Sequence, residues 1–255
     1  MTNEDILQTA MQQSAEDLGC SADDFRGLEN VIVPFALGPD CKKYYKLPIS
    51  CNIVSYGTNV VASANGDLYE VVREYISKFQ FYHCFETPNM RWLNERIEPM
   101  GQTVCYIAEY YLPNLDLLTE KHCGYELRVL EKGQYEDLYV QEWANALCKD
   151  RKELDRIAVG AYDDGRLIGL AGCSADAKEM WQIGVDVLPE YRMQGVATAV
   201  TSKIALEILN RGKVPFYCTA WSNIRSVRNA IKCGFLPTWV EMTIKPSEIV
   251  DEINS

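Results

Sequence analysis

The stretch MWQIGVDVLPEYRMQGVATAVTSKIALEILNRG, residues 180–212, constrains this chain more than any other. It begins as an apolar strand, turns at Pro189, and passes Arg192, Gly195 and Ala197 before a long aliphatic helix that Gly212 closes. A strand handing over to a helix points several unpaired backbone N–H groups into one small space, and the helix dipole adds positive potential there. Gly195 and Ala197 remove side chains that would block that space, Thr198 adds a hydroxyl, and Arg192 brings a cation. Physical chemistry reads the junction as a cradle for a diphosphate. The competing reading is a turn glycine followed by a good helix former. No GxxxxGK[ST] occurs and no GxGxxG opens a helix after a strand, so the P-loop and dinucleotide fingerprints are excluded.

A local cation matters because the chain is acidic, with a formal net charge of -11. That balance excludes a polyanion binder, which needs a basic footprint. The N-terminus MTNEDILQTAMQQSAEDL is acidic and amphipathic, without a basic n-region or an apolar h-region. No apolar run is long enough to span a bilayer. The ten cysteines fall in no CxxC pair, and the two histidines, His83 and His122, stand beside Cys84 and Cys123. Adjacent strand residues face opposite ways, so buried reduced thiols are favoured over a metal site. These readings predict a cytoplasmic protein with no metal and no membrane or nucleic-acid partner.

Before residue 113 the pattern predicts a helix over 3–18, β-rich stretches at VIVPF and LPISCNIVSYGTNVVAS, and a helix over LYEVVREYISKF. A short helix around Trp92–Ile97 and the strand TVCYIAEYYL follow. Pro113, Asn114 and Gly124 loosen the pattern, and the domain boundary is placed there, giving domains 1–118 and 119–255. After it come the strand YELRVL, a helix over QYEDLYVQEWANALC, and strands RIAVGAY and RLIGLAGC joined by the tight turn Asp163-Asp164-Gly165. MWQIGVDVL, the 196–212 helix, VPFYCTAW, the helix SNIRSVRNAIKCG and the strand FLPTWVEMTI complete an α+β order.

Arg192-Met193-Gln194-Gly195-Val196-Ala197 resembles the R/Q-x-x-G-x-G/A signature of the GNAT superfamily of acyl-CoA-dependent N-acyltransferases. Asn223-x-x-Ser226, Ala230 and Gly234-Phe235 resemble its second block at the expected separation. The resemblance covers roughly the second half of the chain. The whole chain is similar to a clostridial-type group of that family with an extra leading domain. It implies a mixed, mostly antiparallel sheet flanked by helices, with a smaller α+β domain before it. It further implies acetyl-CoA as co-substrate, and acetyl transfer to a primary amine of a small molecule or peptide by direct attack. A homodimer is compatible with it.

Carried over residue by residue, the backbone amides of Met193, Gln194, Gly195, Val196, Ala197 and Thr198 would hold the CoA pyrophosphate beside Arg192. The strand before them would splay from its neighbour, so that backbone groups near Val185 and Val187 pair with the pantetheine arm. Asn223 would anchor the cofactor with Ser226 nearby, or cap its helix. Two departures stand out. Ala230 occupies the position where many members keep a tyrosine as general acid, and Gly184 the position where many keep a glutamate as base. Asp186, two residues on and on the same face, is the first substitute as base, and Glu142 the second. A water-relayed base needs neither. Trp143, Trp181 and Trp221 belong to the core or to an acceptor pocket. The missing carboxylate and phenol keep a second reading open, a non-catalytic CoA-binding or interaction module. A third makes the N-terminal half the working part.

Overall fold

A computed structural model describes residues 1–42 and 48–255. Leu47, the start of the β-rich stretch LPISCNIV, lies outside the described residues. The chain forms two compact units, one of Met1–Thr9 with Tyr111–Pro237 and one of Ala10–Tyr110 with Thr238–Ser255. A single cut between 118 and 119 was expected from the breakers at Pro113 and Asn114. The observed division instead runs through α1 (Asn3–Leu18), β4 (Gln102–Pro113) and β10 (Phe235–Pro246). Hydrogen bonding explains the difference at the C-terminus, where Val240–Ile244 of β10 pair antiparallel with β2 (Cys51–Ser55).

The Ala10–Tyr110 unit continues from β2 to β3 (Val61–Ala64), which pairs in parallel with β1 (Val31–Pro34). Two helices, α2 (Gly66–Lys78) and α3 (Thr87–Ile97), supply Leu68, Val72, Tyr75, Ile76, Leu93 and Ile97 to its core. Their apolar positions recur at helical spacing, so each buries one stripe against the strands.

The Tyr111–Pro237 unit holds β5 (Glu126–Glu131), β6 (Asp155–Asp163), β7 (Arg166–Ser174), β8 (Met180–Val187) and β9 (Val214–Thr219). The order is β9-β8-β7-β6-β5, antiparallel except for the parallel pair β8–β9. This is the expected mixed, mostly antiparallel sheet. The crossover from β8 to β9 is α4 (Val196–Asn210), whose Val196, Val200, Ile204 and Ile208 reach the core beside Ile183, Ile168 and Val159. Gly234, at φ +96°, ends α5 (Ile224–Cys233) where an added Cβ would lie 2.6 Å from the Leu117 carbonyl carbon.

One expected element is absent. QYEDLYVQEWANALC is no α-helix but carries two short 3-10 turns, Glu136–Leu138 and Gln141–Trp143, with a third, Lys149–Leu154, directly after it. The reason lies in the sheet below. Gly172 and Gly184 are cross-strand partners on β7 and β8. A Cβ on Gly172 would sit 2.1 Å from the Ala146 carbonyl oxygen, and one on Gly184 1.8 Å from that of Asn145. The loop is pressed backbone-on-sheet at this bare spot, an approach that a helix with its sheath of side chains does not allow.

The same loop closes over a buried acid. Asp155, 1% exposed, accepts a hydrogen bond from Tyr139 Oη at 3.0 Å, and Asp176 pairs with Arg151 nearby. Burial pushes the Asp155 carboxyl up to about 6, against the pull of Tyr139, the Cys148 backbone and Arg151. A raised folded-state value means that this group's contribution to stability is full below pH ~4 and is lost as pH rises through about 6. Wild-type Tm should therefore fall between pH 5 and 7.5 relative to Asp155→Asn, by the equivalent of about 1.4 kcal/mol. Parallel thermal melts across that range check it; curves that stay parallel contradict it.

Candidate active site

Strands β8 and β9 pair only at Met180↔Val214, Trp181↔Pro215 and Gln182↔Phe216. Beyond Gln182 they part, while β8 keeps its bonds to β7 through Val187. The β9-facing edge of Ile183–Val187 is thus left without a strand partner. A cavity of about 660 Å³ opens along this edge, lined by Val185, Val187, Tyr217, Ser226 and the first turn of α4, among others.

The turn into α4 has unusual backbone geometry. Met193 stands at φ +63° and Gly195 at φ +82°. Glycine tolerates the left-handed region, whereas methionine is strained in it, and its side chain is thrown 96% into solvent. Gly195 caps the helix without a side-chain hydrogen bond. The first helical bond is Ala199 N to Gly195 O, at 2.9 Å. Among the described residues, the amides of Met193 to Thr198 have no protein acceptor. Successive unpaired amides around left-handed residues at a helix N-terminus form an anion site. Arg192 and, from α5, Arg225, Arg228 and Lys232 line the same cavity. These residues fit a diphosphate with a further phosphate nearby, the charge pattern of coenzyme A.

The expected side chains divide sharply. Arg192, Met193, Gly195, Val196, Ala197, Thr198, Val185, Val187, Asn223 and Ser226 all line the cavity. Some have more local duties than expected. The Thr198 hydroxyl donates to Asn229 Oδ1 at 3.0 Å rather than standing ready as a donor to a ligand. The Val187 carbonyl is taken by Arg192 Nε at 3.1 Å. Asn223 Oδ1 caps α5 by accepting from Ser226 N at 3.3 Å. The Gln194 side chain is not in the cavity lining; it braces the loop, donating to the Glu190 carbonyl and accepting from Tyr125 Oη at 2.6 Å.

The two base candidates sit differently. Glu142 is exposed on a 3-10 turn and does not line the cavity. Asp186 does line it, but its oxygens are occupied. Oδ2 accepts from the amides of Asn145 and Ala146 at 2.8 and 2.9 Å, and Oδ1 from Asn145 Nδ2 at 2.7 Å. The carboxylate staples the loop to the sheet beside the bare glycine pair. Asp186→Asn turns one acceptor into a donor facing donors, at a cost of about 1–3 kcal/mol. Hydrogen exchange should speed up at the amides of Asn145 and Ala146. A proton-acceptor role would in addition alter the pH–rate profile, which the staple alone does not. Of the tryptophans, Trp143 is buried under the loop, Trp181 packs on the core, and Trp221 is 47% exposed.

Sequence reasoning missed Tyr217, Asn229, Tyr191 and the three cations of α5. Arg225, Arg228 and Lys232 recur at i, i+3 and i+7, a helical-face signal that was legible.

Fold and site together place unpaired amides at a helix N-terminus beside the edge where two parallel strands part. The family comparison agrees. The model of the GNAT acetyltransferase family matches residues 63–238, more than half of the chain, and the chain belongs to that family. The match reaches back well before the two motif blocks. No curated protein sequence matches the chain. Among solved structures it is similar to a GCN5-related N-acetyltransferase-like protein from Streptococcus suis, at 18% identity and TM-score 0.46, over 62% of this chain and 68% of that one. An acetyltransferase of the GNAT family from Colwellia psychrerythraea follows at 15% identity and TM-score 0.43, over 62% and 63%. An aminoglycoside N-acetyltransferase in complex with CoA matches at 23% identity and TM-score 0.37, over 48% and 93%. The chain thus spans about two thirds of the first two. Among the described residues no helix is long and apolar enough to cross a membrane.

Proposed function

We propose that the chain is an acetyl-CoA-dependent N-acetyltransferase that passes the acetyl group to a primary amine by direct attack. The observation that carries this reading is the parting of β8 and β9 beside the unpaired amides of Met193–Thr198. Those amides and the α4 dipole bind the pyrophosphate, and Arg192, Arg225, Arg228 and Lys232 supply the local positive charge that the net charge of -11 otherwise denies it. The free edge of β8 offers backbone groups to the pantetheine arm as a neighbouring strand would. When bound, acetyl-CoA supplies the activated acyl group. A β8 N–H aimed at the thioester carbonyl stabilises charge that develops on its oxygen.

On the acceptor side the loop stapled by Asp186 fixes one wall, and a water takes the amine proton where the family often uses a glutamate. At that position Gly184 leaves no room for any side chain. The acceptor is an amine of a small molecule or a peptide. The working compartment is the cytoplasm, where thiols such as those of the ten cysteines stay reduced. Incubation with acetyl-CoA and a panel of polyamine, aminoglycoside, amino-acid and peptide amines, read by free-thiol release and product mass, tests the reading. Binding without transfer to any amine favours the module with no catalysis.

A further inference from the structure

We propose that Tyr217, backed by Ser226, is the proton donor to the departing thiolate, in the role that Ala230 cannot fill. The inference rests on the acetyl-CoA reading above. Tyr217 directly follows Phe216, the last residue of β9 paired with β8, and so stands at the throat where the strands part. It lines the cavity. Neighbouring strand residues alternate faces, so Tyr217 turns toward α5 while Cys218 turns the other way, where its sulfur accepts from Gln182 Nε2 at 3.0 Å.

The phosphate cradle sits at the β8 C-terminal end of the same cavity, beside Val187. A carrier held there by its pyrophosphate and laid along β8 delivers its thiol end toward the throat. Ala230, fully buried in the core shared by Tyr217, lies one helical turn beyond Ser226 on α5. The family's usual phenol would have started from that helix. Here a phenol reaches the same side of the cleft from the strand.

The hydrogen bonds support a donor. Tyr217 Oη lies 2.8 Å from Ser226 Oγ. A side-chain bond from Asn229 also engages the phenol, and Asn229 is itself held by Thr198 and Thr201. Burial pushes the phenol upward from its ordinary value, so it carries its proton at neutral pH. The step balances. As the amine nitrogen bonds to the acyl carbon, the carbon–sulfur bond breaks with its electron pair on sulfur. The Oη proton passes to sulfur, and Ser226 Oγ–H reprotonates the phenolate. The serine is replenished through solvent by the proton that the amine nitrogen sheds.

The test titrates the thiol of CoA bound to the full chain, read by thiolate absorbance in the ultraviolet, alongside calorimetry and turnover. A hydroxyl that donates to the thiolate lowers the apparent thiol pKa. Tyr217→Phe should therefore bind CoA within ~2-fold of wild type, raise the bound-thiol midpoint by about one pH unit, and lower kcat by about 10²-fold. Ser226→Ala, which spares the core, should move the midpoint in the same direction by less, and serves if Tyr217→Phe does not fold. An unmoved midpoint in both variants overturns the proposal and leaves the phenol as a pin between β9 and α5. Failure of the wild type to bind CoA in the calorimeter is a separate result, which removes the acetyl-CoA reading itself and this proposal with it.

Discussion

Gly195→Glu is expected to abolish acetyl-CoA binding while the protein stays folded. The substitution acts twice at one point. Gly195 stands at φ +82°, a left-handed conformation that costs other residues about 1 kcal/mol. That cost is small beside the stability of a domain, and a Cβ added there meets only Cys123 and His122 atoms at 3.8 Å, an ordinary contact. The effect on binding is larger. A carboxylate at the mouth of the amide cradle competes for the same N–H groups and repels a pyrophosphate ~4 Å away by several kcal/mol at partly buried sites. Affinity should fall about 100-fold or more. Calorimetry with acetyl-CoA and a thermal melt measure the two quantities separately. Unchanged affinity would move the phosphate site elsewhere.

The second large effect is on the loop. Gly184→Ala places a Cβ 1.8 Å from the Asn145 carbonyl oxygen and 2.8 Å from its carbon, both backbone atoms that cannot swing aside. The loop must lift or the strand must bend. We expect a loss of about 3 kcal/mol, seen as a Tm lower by about 6–12 °C, with faster amide exchange at Asn145 and Ala146. Gly124→Ala, where an added Cβ meets nothing within 4 Å, is the control and should leave Tm unchanged. Restoring the family's glutamate at 184 would meet the same backbone. This chain therefore cannot regain that base by a single substitution, which is why the amine proton is assigned to water.

What the sequence revealed and what it hid follow from the range of the interactions. The α4 junction was legible because its chemistry is local: Gly195 serves its own turn, and the amides are those of the next few residues. The Asn223 cap is likewise written within three positions. The α+β order followed from the periodicity, and the parting of β8 from β9 came with the motif resemblance. By contrast, the roles of Asp186 and of the 135–154 loop depend on partners far along the chain. Asp186 finds its donors 41 residues away, at Asn145. The periodicity of QYEDLYVQEWANALC suits a helix, and only the facing pair Gly172 and Gly184 forces it flat. Tyr217 was passed over because VPFYCTAW reads as an apolar strand in which tyrosine is ordinary. Its meaning comes from a serine on the next helix and from the alanine at 230.

The central claim is that the amides of Met193–Thr198 hold the diphosphate of acetyl-CoA. Hydrogen exchange of the full chain, with and without acetyl-CoA, tests it most directly. With no protein acceptor, these amides should exchange fast in the free protein and become protected on binding, together with the β9-facing amides of Ile183–Val187. Binding that leaves 193–198 unprotected while protecting another region would contradict the account.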